Sequence, residues 1–328
     1  MKALLCKTLG PAENLVLEDI EPEALGPAAV RVRVHAAGVN FPDTLVIEGK
    51  YQFKPPLPFS PGAEMAGTIT EVGAKVSQYA VGDRVMGVFT HGCYREEVVV
   101  PAAGVIPVPE GMSLDQAAVF PMAYGTSYHA LAQRADLQAG ESVLVLGAAG
   151  GVGLAAVELA KAMGAGKVIA AVGSEDKFAV CREHGADEVI NYREESLRER
   201  VKALTGGQGV DVIYDPVGGD AFDEAVRCLG WRGRLLVIGF ASGRIPELAA
   251  NRLLIKGAAA VGVFWGAFAM REPARNQQNF AELAELWAAG KLSPRIAARY
   301  PLAEVPRALD DLLGRRVQGK LLVEVADV

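Results

Sequence analysis

The feature that most constrains this chain is a short apolar strand that runs into a glycine-rich turn and then into a helix. Within the run 142–153, residues 143–146 are continuously apolar, as is typical of a parallel strand buried on both faces. The turn Gly147-Ala-Ala-Gly-Gly-Val-Gly153 follows, and residues 154–163 have helical periodicity. A helix N-terminus with unpaired N–H groups and a positive dipole end binds phosphate. The sequence therefore predicts a dinucleotide-phosphate site here.

The match to the dinucleotide fingerprint G-x-G-x-x-G is incomplete, because Ala148 stands at the first glycine position. Alanine is small enough for that place, and the strand before and helix after the turn supply the required context. The alternative is a tight strand-to-helix turn with no ligand. We interpret the turn as a phosphate cradle and assign to the cofactor Ala149, Gly150, Gly151, Val152 and Gly153.

The end of the next strand indicates which dinucleotide is bound. Strand 167–172 ends in Gly173-Ser174, with no acidic residue to bond a free ribose 2′-hydroxyl, and Lys177 follows on the next helix. Gly173 leaves room, Ser174 donates a hydrogen bond and Lys177 supplies charge, so the pattern favours NADPH over NADH. Tyr192 and Arg193 are predicted to close over the 2′-phosphate. The alternative is that Lys177 is a solvated lysine of the charged run 175–177.

The same region repeats the strand and helix alternation of a doubly wound parallel sheet, so the fold class is α/β. Ligands of such sheets bind beyond the carboxyl ends of the strands. We therefore assign Val217, Phe240 and Ala241 to the cofactor as well. Further strands are predicted at 188–190, 210–215 and 234–239, with helices at 194–204 and 220–229.

Composition limits the classes of function. The 328 residues are 51% hydrophobic, enough for two cores, and 33 basic against 39 acidic residues give a net charge of −6. We expect no nucleic-acid partner, no membrane span and no signal peptide, and hence a cytoplasmic protein. The four cysteines have no metal-ligand or disulfide spacing, so we expect reduced thiols at Cys6, Cys93, Cys181 and Cys228.

The remaining chain has the texture of a second, mostly β domain. Residues 30–35 alternate with period two, and glycine and proline turns bound short strands at 65–73 and 82–87. Helices are predicted at 280–289 and 302–313, before a last strand at 320–325. The predicted boundaries are 1–122 for the β domain, 123–264 for the cofactor domain and 265–328 for a return segment that completes the first domain.

Several motifs in order resemble the ζ-crystallin-like quinone oxidoreductase branch of the medium-chain dehydrogenase/reductase superfamily. They are Gly38-Val-Asn-Phe-Pro-Asp43, Pro61-Gly-Ala-Glu-Met-Ala-Gly67, Val81-Gly-Asp-Arg-Val85, Gly125-Thr-Ser-Tyr128, Ala148-Ala-Gly-Gly-Val-Gly153 and Gly319-Lys-Leu-Leu-Val323. The resemblance implies a GroES-like catalytic domain split around a Rossmann domain, with an active site in the cleft. It also implies a homodimer through residues 258–264. Val263, Phe264, Trp265 and Lys320 join the predicted cofactor contacts.

The resemblance also bears on metal chemistry. Alcohol-oxidising relatives hold a catalytic zinc at positions where this chain has Asn40, Ala63 and about Met122. An amide, a methyl and a thioether do not form a zinc site of the usual type. We expect no metal, and we interpret His35, His91, His129 and His184 as satisfied or exposed side chains, since none has a second ligand at ligand spacing.

Without a Lewis acid, the expected reaction is hydride transfer to an electron-poor acceptor, a quinone or an α,β-unsaturated carbonyl compound. By resemblance, Asn40 donates a hydrogen bond to the developing negative charge, Tyr51 reaches nicotinamide and substrate, and Asp43 orients the Asn40 loop. A turn-forming asparagine and a packed tyrosine are the alternatives. The alternative functions are an enoyl-thioester reductase, and a crystallin-like or RNA-binding protein with little turnover. The sequence does not select the substrate.

Overall fold

The computed structural model describes residues 1–325, which form two compact units. Unit 1 comprises Met1–Met122 together with the chain from Pro294 onward, and unit 2 comprises Ala123–Ser293. Within the described residues, no helix combines the length and the apolar character that a membrane crossing needs.

The first segment of unit 1 is mostly β-structure. Its elements are β1 (Lys2–Cys6), β2 (Leu15–Asp19), β3 (Ala29–Val39), α1 (Phe41–Ile47), β4 (Glu64–Val72), β5 (Arg84–Val88), β6 (Glu97–Pro101), β7 (Val105–Pro107) and α2 (Leu114–Ala118).

Strand β3 is the centre of unit 1. It pairs antiparallel with β4 and, along its first half, with β6. Its alternating valines, Val30, Val32 and Val34, are all fully buried. The intervening Arg31 is 8% exposed, and its guanidinium donates to the Glu71 carboxylate at 2.9 Å and to the Glu23 carbonyl at 2.9 Å. The period-two pattern therefore places the core as the sequence predicts.

Unit 2 alternates strands and helices. Its elements are α3 (Pro121–Tyr128), which begins at the end of unit 1, β8 (Ser142–Leu146), α4 (Gly151–Ala162), β9 (Lys167–Val172), α5 (Phe178–Glu183), β10 (Glu188–Asn191), α6 (Leu197–Leu204), β11 (Val210–Asp215), α7 (Gly219–Ala225), β12 (Leu229–Val237), α8 (Asn251–Leu254), β13 (Ala259–Gly262), α9 (Trp265–Arg271) and α10 (Pro273–Ala288).

The six strands of unit 2 form one parallel sheet in the order β10-β9-β8-β11-β12-β13. Numbered along the chain, this is the strand order 3-2-1-4-5-6 of dinucleotide-binding sheets. The strands are all parallel, but the order in which they are added to the sheet reverses between the first and fourth strands. The reversal therefore falls between β8 and β11, and the turn after β8 opens at that crevice. The predicted doubly wound α/β fold is confirmed.

The chain returns to unit 1 at Pro294, later than the predicted boundary at residue 265. The reason is that α9 and α10 pack within unit 2. A Cβ built on Gly125 of α3 would lie 2.7 Å from Trp265 and 3.1 Å from Phe280, and Leu283 is fully buried. The amide of Asn279 also bonds Gln133. The sequence showed that the strand and helix alternation stops near Trp265, but not which core the following helices cover.

The return segment consists of β14 (Ile296–Pro301), α11 (Val305–Leu313) and β15 (Lys320–Glu324). Strand β15 pairs antiparallel with β3, with Leu321 opposite Val39 and Leu322 opposite Gly38. The seven-stranded sheet of unit 1 then follows the path β14-β15-β3-β4-β5-β7, with β6 also paired to β3. The predicted last strand thus completes the first domain.

Candidate functional site

The turn between β8 and α4 has the geometry of a phosphate cradle. Gly147 adopts the left-handed conformation at φ 57°, and α4 begins at Gly151. A Cβ on Gly153 would lie 2.4 Å from the Gly147 carbonyl oxygen, so helix and strand approach closely only because residue 153 is glycine. The first N–H groups of α4 have no acceptor within the helix. They are the donors that a pyrophosphate needs.

This turn differs in one respect from the fingerprint used on the sequence. The left-handed residue is Gly147, one position before Ala148, and the three glycines Gly147, Gly150 and Gly153 are spaced by three. Ala148 is instead fully buried. The signal that identifies Gly147 was available in the sequence, because a glycine directly after a buried strand is typical of a positive-φ turn.

The end of β9 carries the groups predicted to select the dinucleotide. A Cβ on Gly173 would lie 3.3 Å from the Tyr192 hydroxyl oxygen and 3.2 Å from Arg193 Nε, so both side chains lie over Gly173. Ser174 is half-buried, and Lys177 is half-buried in the single 3-10 turn that precedes α5. Two polar or basic side chains therefore lie over Gly173, and Ser174 and Lys177 follow it in the chain, residue types that suit a phosphate monoester.

The loops after β11 and β12 are bonded to one another at the same edge of the sheet. The Asp215 carboxylate accepts the N–H groups of Val217 at 2.7 Å and Gly218 at 2.9 Å. Burial raises the pKa of Asp215 to about 6, and these two bonds oppose the shift. The N–H of Ala241 donates to Pro216. Both loops are thus fixed at the predicted crevice, with Phe240 half-buried beside Gly218.

The predicted contacts after β13 have mixed surroundings. Val263 continues the sheet, since its N–H donates to the Val237 carbonyl at 3.0 Å. Phe264 is 54% exposed, whereas Trp265 is buried and its indole N–H donates to Asn276 at 3.0 Å. Trp265 is therefore part of the packing of α9 and α10, and a contact of its ring with the cofactor stays a prediction.

In unit 1, Asp43 fixes the backbone of Asn40 at the start of α1. One oxygen of Asp43 accepts the Asn40 N–H at 2.8 Å and the Tyr94 hydroxyl at 2.9 Å. Burial raises the pKa of Asp43 to about 6 against the effect of both bonds. Tyr51 is half-buried against the unit 1 core, where burial and the charge of Asp43 raise its pKa. The three residues that we predicted as catalytic are therefore neighbours within one unit.

The side chain of Asn40 is held by charged partners that the sequence did not identify. Its Nδ2 donates to Glu64 Oε2 at 3.0 Å and, at 3.3 Å, to the Gly38 carbonyl. Its Oδ1 accepts from Lys320 Nζ at 2.5 Å, and that ammonium also donates to Glu64 and to the Val39 carbonyl. Lys320 was predicted to contact the cofactor, but its hydrogens are directed at three acceptors of unit 1.

Asn40, Ala63 and Met122, which stand where alcohol-oxidising relatives hold zinc, all adjoin Glu64. The second carboxylate oxygen, Oε1, accepts the backbone N–H of Met122 at 2.7 Å, and Ala63 precedes Glu64 in the chain. Across residues 1–325, no group of three or more His, Cys, Asp or Glu side chains is arranged to hold a metal ion.

The four histidines have protein partners. His35 bonds Asp115 at 2.9 Å and His184 bonds Glu158 at 2.6 Å. His129 bonds Gln133, and His91 bonds Thr90 and stacks on Phe53. Burial lowers the pKa of His91 and of His129, which favours their neutral forms.

Comparison with known proteins agrees with this geometry. Residues 151–287 match the family described as zinc-binding dehydrogenase, and residues 26–110 match the alcohol dehydrogenase GroES-like domain. The chain is 42% identical to the quinone oxidoreductase-like protein 2 homolog of Nematostella vectensis, over 98% of this chain and 88% of that protein. It is 37% identical to a quinone oxidoreductase of Pseudomonas aeruginosa, over 96% of each chain.

A solved structure shares the whole architecture. The quinone oxidoreductase of Escherichia coli, determined in complex with NADPH, superposes with a TM-score of 0.91 at 32% identity, over 99% of this chain and 100% of that one. The first family description mentions zinc, whereas the donor set at Asn40, Ala63 and Met122 does not suit that metal.

Two glycines of the cradle separate packing from ligand binding. Gly153→Ala is expected to lower the melting temperature of the free protein by several degrees, because its Cβ would lie 2.4 Å from the Gly147 oxygen. Gly150→Ala is the matched control, since its Cβ would meet that oxygen at 3.4 Å and its φ is −80°. Thermal melts and NADPH titrations check this. We expect Gly150→Ala to keep the melting temperature and lose NADPH affinity, and equal melting temperatures for the two variants would contradict the packing argument.

Asp43 gives the folded protein a specific pH dependence. Its pKa is raised from 3.8 to about 6, so between these values the folded state keeps a proton that the unfolded state has lost. The contribution of Asp43 to the free energy of unfolding is therefore highest below pH 4 and falls as the pH rises to about 6. Denaturant melts of wild type and Asp43→Asn, measured from pH 4 to 7, are expected to diverge in favour of the variant as the pH rises. A constant difference would show that Asp43 ionises normally.

Proposed function

The chain belongs to the quinone oxidoreductase family of the medium-chain dehydrogenase/reductase superfamily, and from this premise we propose that it uses NADPH to reduce quinones or α,β-unsaturated carbonyl compounds. It is an oxidoreductase of the quinone oxidoreductase type. The observation that carries the proposal is the glycine turn at the switch point of the parallel sheet, directly before the N-terminus of α4.

The residues present fit NADPH in two places. The pyrophosphate would be held by the backbone N–H groups of Gly151, Val152 and Gly153, at the positive end of the α4 dipole. The 2′-phosphate would be held at Gly173, Ser174, Lys177, Tyr192 and Arg193. The E. coli relative was solved in complex with NADPH, which supports the same cofactor here.

When bound, NADPH supplies a hydride to an electron-poor carbon of the acceptor. The chain's own contribution is to orient the acceptor and to bind the oxygen on which negative charge develops. We assign that hydrogen bond to Asn40, whose backbone N–H is held by the Asp43 carboxylate. Tyr51, half-buried beside Asp43, would contact the substrate from the same unit.

We propose that the reaction needs no zinc. The support is the donor chemistry at Asn40, Ala63 and Met122, together with the engagement of Glu64 by an ammonium and two amide donors. A quinone or enone is already electron-poor, so a hydrogen-bond donor suffices to stabilise the negative charge that its reduction creates.

The test of the proposed function is an NADPH-oxidation screen with purified protein and three acceptor classes: 1,4-quinones, enones and enoyl thioesters. We expect turnover with quinones or enones that persists in a strong chelator, and a zinc content by elemental analysis far below one per chain. Preference for enoyl thioesters would favour the acyl reductase, and absence of turnover with all three would favour a binding protein. Chelator-sensitive activity with stoichiometric zinc would overturn the metal assignment.

The choice of NADPH is testable at Lys177. A charge-assisted phosphate contact is worth about 1.5–3 kcal/mol, so Lys177→Ala is expected to raise KM for NADPH by roughly ten- to a hundredfold. KM for NADH is expected to stay within about twofold, because NADH lacks the 2′-phosphate. Lys167→Ala is the control, since that lysine bonds the Leu204 carbonyl away from the strand end. Equal effects of Lys177→Ala on both cofactors would refute the assignment.

We also propose that the protein is a homodimer joined along β13. This strand is one of the two edges of the unit 2 sheet, paired only with β12 among the described strands, and three of its four residues are exposed. The same unit carries large exposed apolar side chains, including Trp231 (72%), Leu254 (79%) and Ile255 (66%). A free sheet edge and large exposed apolar side chains are both features that monomeric proteins avoid.

An acidic residue on the edge strand tests the dimer. Ala260→Glu places two like charges near each other if β13 pairs with its own copy, so we expect the mass in solution to fall from two chains to one. Ala288→Glu, at an exposed position of α10, is the control and is expected to leave the mass unchanged. Light scattering after size-exclusion chromatography measures both. A wild-type monomer, or a dimer that survives Ala260→Glu, would reject this edge as the interface.

A further inference from the structure

A buried ion pair beside Asn40 has no role in the function proposed so far. Glu64 is fully buried and Lys320 is 7% exposed, and Lys320 Nζ lies 2.9 Å from Glu64 Oε2. Both contact the same side chain, because Asn40 Oδ1 is 2.5 Å from Nζ and Asn40 Nδ2 is 3.0 Å from Oε2. The three side chains form a closed triangle inside unit 1.

The charges of Lys320 and Glu64 allow only one orientation of the Asn40 side-chain amide. An ammonium has donors and no acceptor, so the atom facing Lys320 is the amide oxygen. An ionised carboxylate has acceptors and no donor, so the atom facing Glu64 is the amide nitrogen. Reversal would set a carbonyl against a carboxylate and an NH2 group against an ammonium. Asn40 therefore keeps its remaining N–H on one fixed side.

The remaining N–H of Asn40 makes the weakest contact of the group. Its acceptor is the Gly38 carbonyl at 3.3 Å, whereas the charged contacts are 2.5 to 3.0 Å. A donor with one long bond to a neutral acceptor is the one that an oxygen bearing negative charge can recruit.

The backbone is built around the pair. A Cβ on Gly38 would lie 2.3 Å from Glu64 Oε2, so the carboxylate reaches its place only because residue 38 is glycine. The pairing of Leu321 with Val39 brings Lys320 alongside Asn40 from the far end of the chain. The N–H of Met122 holds the other carboxylate oxygen at 2.7 Å.

Stability alone does not account for such a pair. The desolvation of two buried charges largely cancels their attraction, and well-packed apolar replacements are often as stable or more stable. We infer that Glu64 and Lys320 are positioning residues that fix the Asn40 amide so that it offers a donor, and never an acceptor, to the substrate oxygen. The inference rests on the proposed function, in which Asn40 binds that oxygen. It gives Lys320 a role other than cofactor binding.

The variants separate positioning from stability. Lys320→Met leaves Glu64 unpaired and is expected to lower the melting temperature, while the double variant Lys320→Met/Glu64→Gln removes both charges and restores most of it. A structural role would restore kcat along with the melting temperature. We expect kcat for quinone reduction to stay about tenfold or more below wild type in the double variant, since the amide is free to reverse. Lys7→Met, which breaks the exposed pair with Glu18, is the control.

A double-mutant cycle shows whether the pair acts through Asn40. Asn40→Ala is expected to lower kcat by about a hundredfold, and Asn40→Ala/Lys320→Met by the same factor within about twofold. The inference would be overturned if Asn40→Ala/Lys320→Met lowered kcat by the product of the two separate factors. It would also be overturned if Lys320→Met/Glu64→Gln kept the wild-type kcat. The dissociation constant for NADPH is expected to change less than twofold in Lys320→Met/Glu64→Gln. A rise of tenfold or more would instead assign Lys320 to the cofactor.

A readout without turnover keeps this test independent of the proposed function. The chain has six asparagines, so selective 15N-asparagine labelling resolves the Asn40 amide, assigned by its loss in Asn40→Ala. We expect its two protons to exchange slowly with solvent in wild type and at least tenfold faster in the double charge variant, with no change in Lys7→Met. Fast exchange in wild type would overturn the inference even with quinone turnover. Slow exchange without turnover would reject the proposed function and leave the fixed amide established.

Discussion

The antiparallel pairing of β15 with β3 is the constraint on which unit 1 depends. It joins strands from opposite ends of the chain and places Leu322 opposite Gly38. The contact between Lys320 and Asn40 spans 280 positions of sequence and exists only because of this register. A slip of one residue would turn the lysine to the opposite face of the sheet. The register therefore fixes both the core of unit 1 and the charged cluster within it.

The corresponding constraint in unit 2 is the close approach of α4 to β8. The glycine at 153 lets the helix start directly behind the strand end, and the switch in strand order opens the crevice at that point. The position of the α4 N-terminus and the direction of its N–H donors thus both depend on the close packing of α4 against the end of β8. In unit 1 the equivalent accommodation is Gly38, whose missing side chain leaves room for a carboxylate.

The sequence predicted those parts of the fold that local patterns determine. The strand nature of the apolar run of β8 and the burial of the period-two valines of β3 were both predicted correctly, because each pattern reflects the burial of its own element. The position at which the chain returns to unit 1, Pro294, was not predicted. The apolar residues of α9 and α10 indicate that each helix has a buried face, but not which core that face covers.

The partners of the candidate catalytic residues illustrate the same limit. Asp43, three residues from Asn40, was expected to orient the Asn40 loop, and it accepts the Asn40 N–H. The contact between Glu64 and Lys320 was not predicted. A glutamate in a glycine-rich motif and a lysine at the start of a strand give no sign of pairing until the sheet brings them together. Pairing over long sequence separations is a property of the tertiary structure and leaves no local periodicity.

The split of unit 1 also orders the folding of the chain during synthesis. Unit 2 is continuous, so its strands and helices can pack as soon as residue 293 has left the ribosome. In unit 1, residues 36–39 of β3 lack their β15 partner until that strand emerges, after the whole of unit 2 has been made. Until then the sheet edge is open, and the carboxylate of Glu64 has no ammonium beside it. An unpaired strand edge is a template for pairing with another chain, and in unit 1 the strand that covers this part of β3 is the last one to be made.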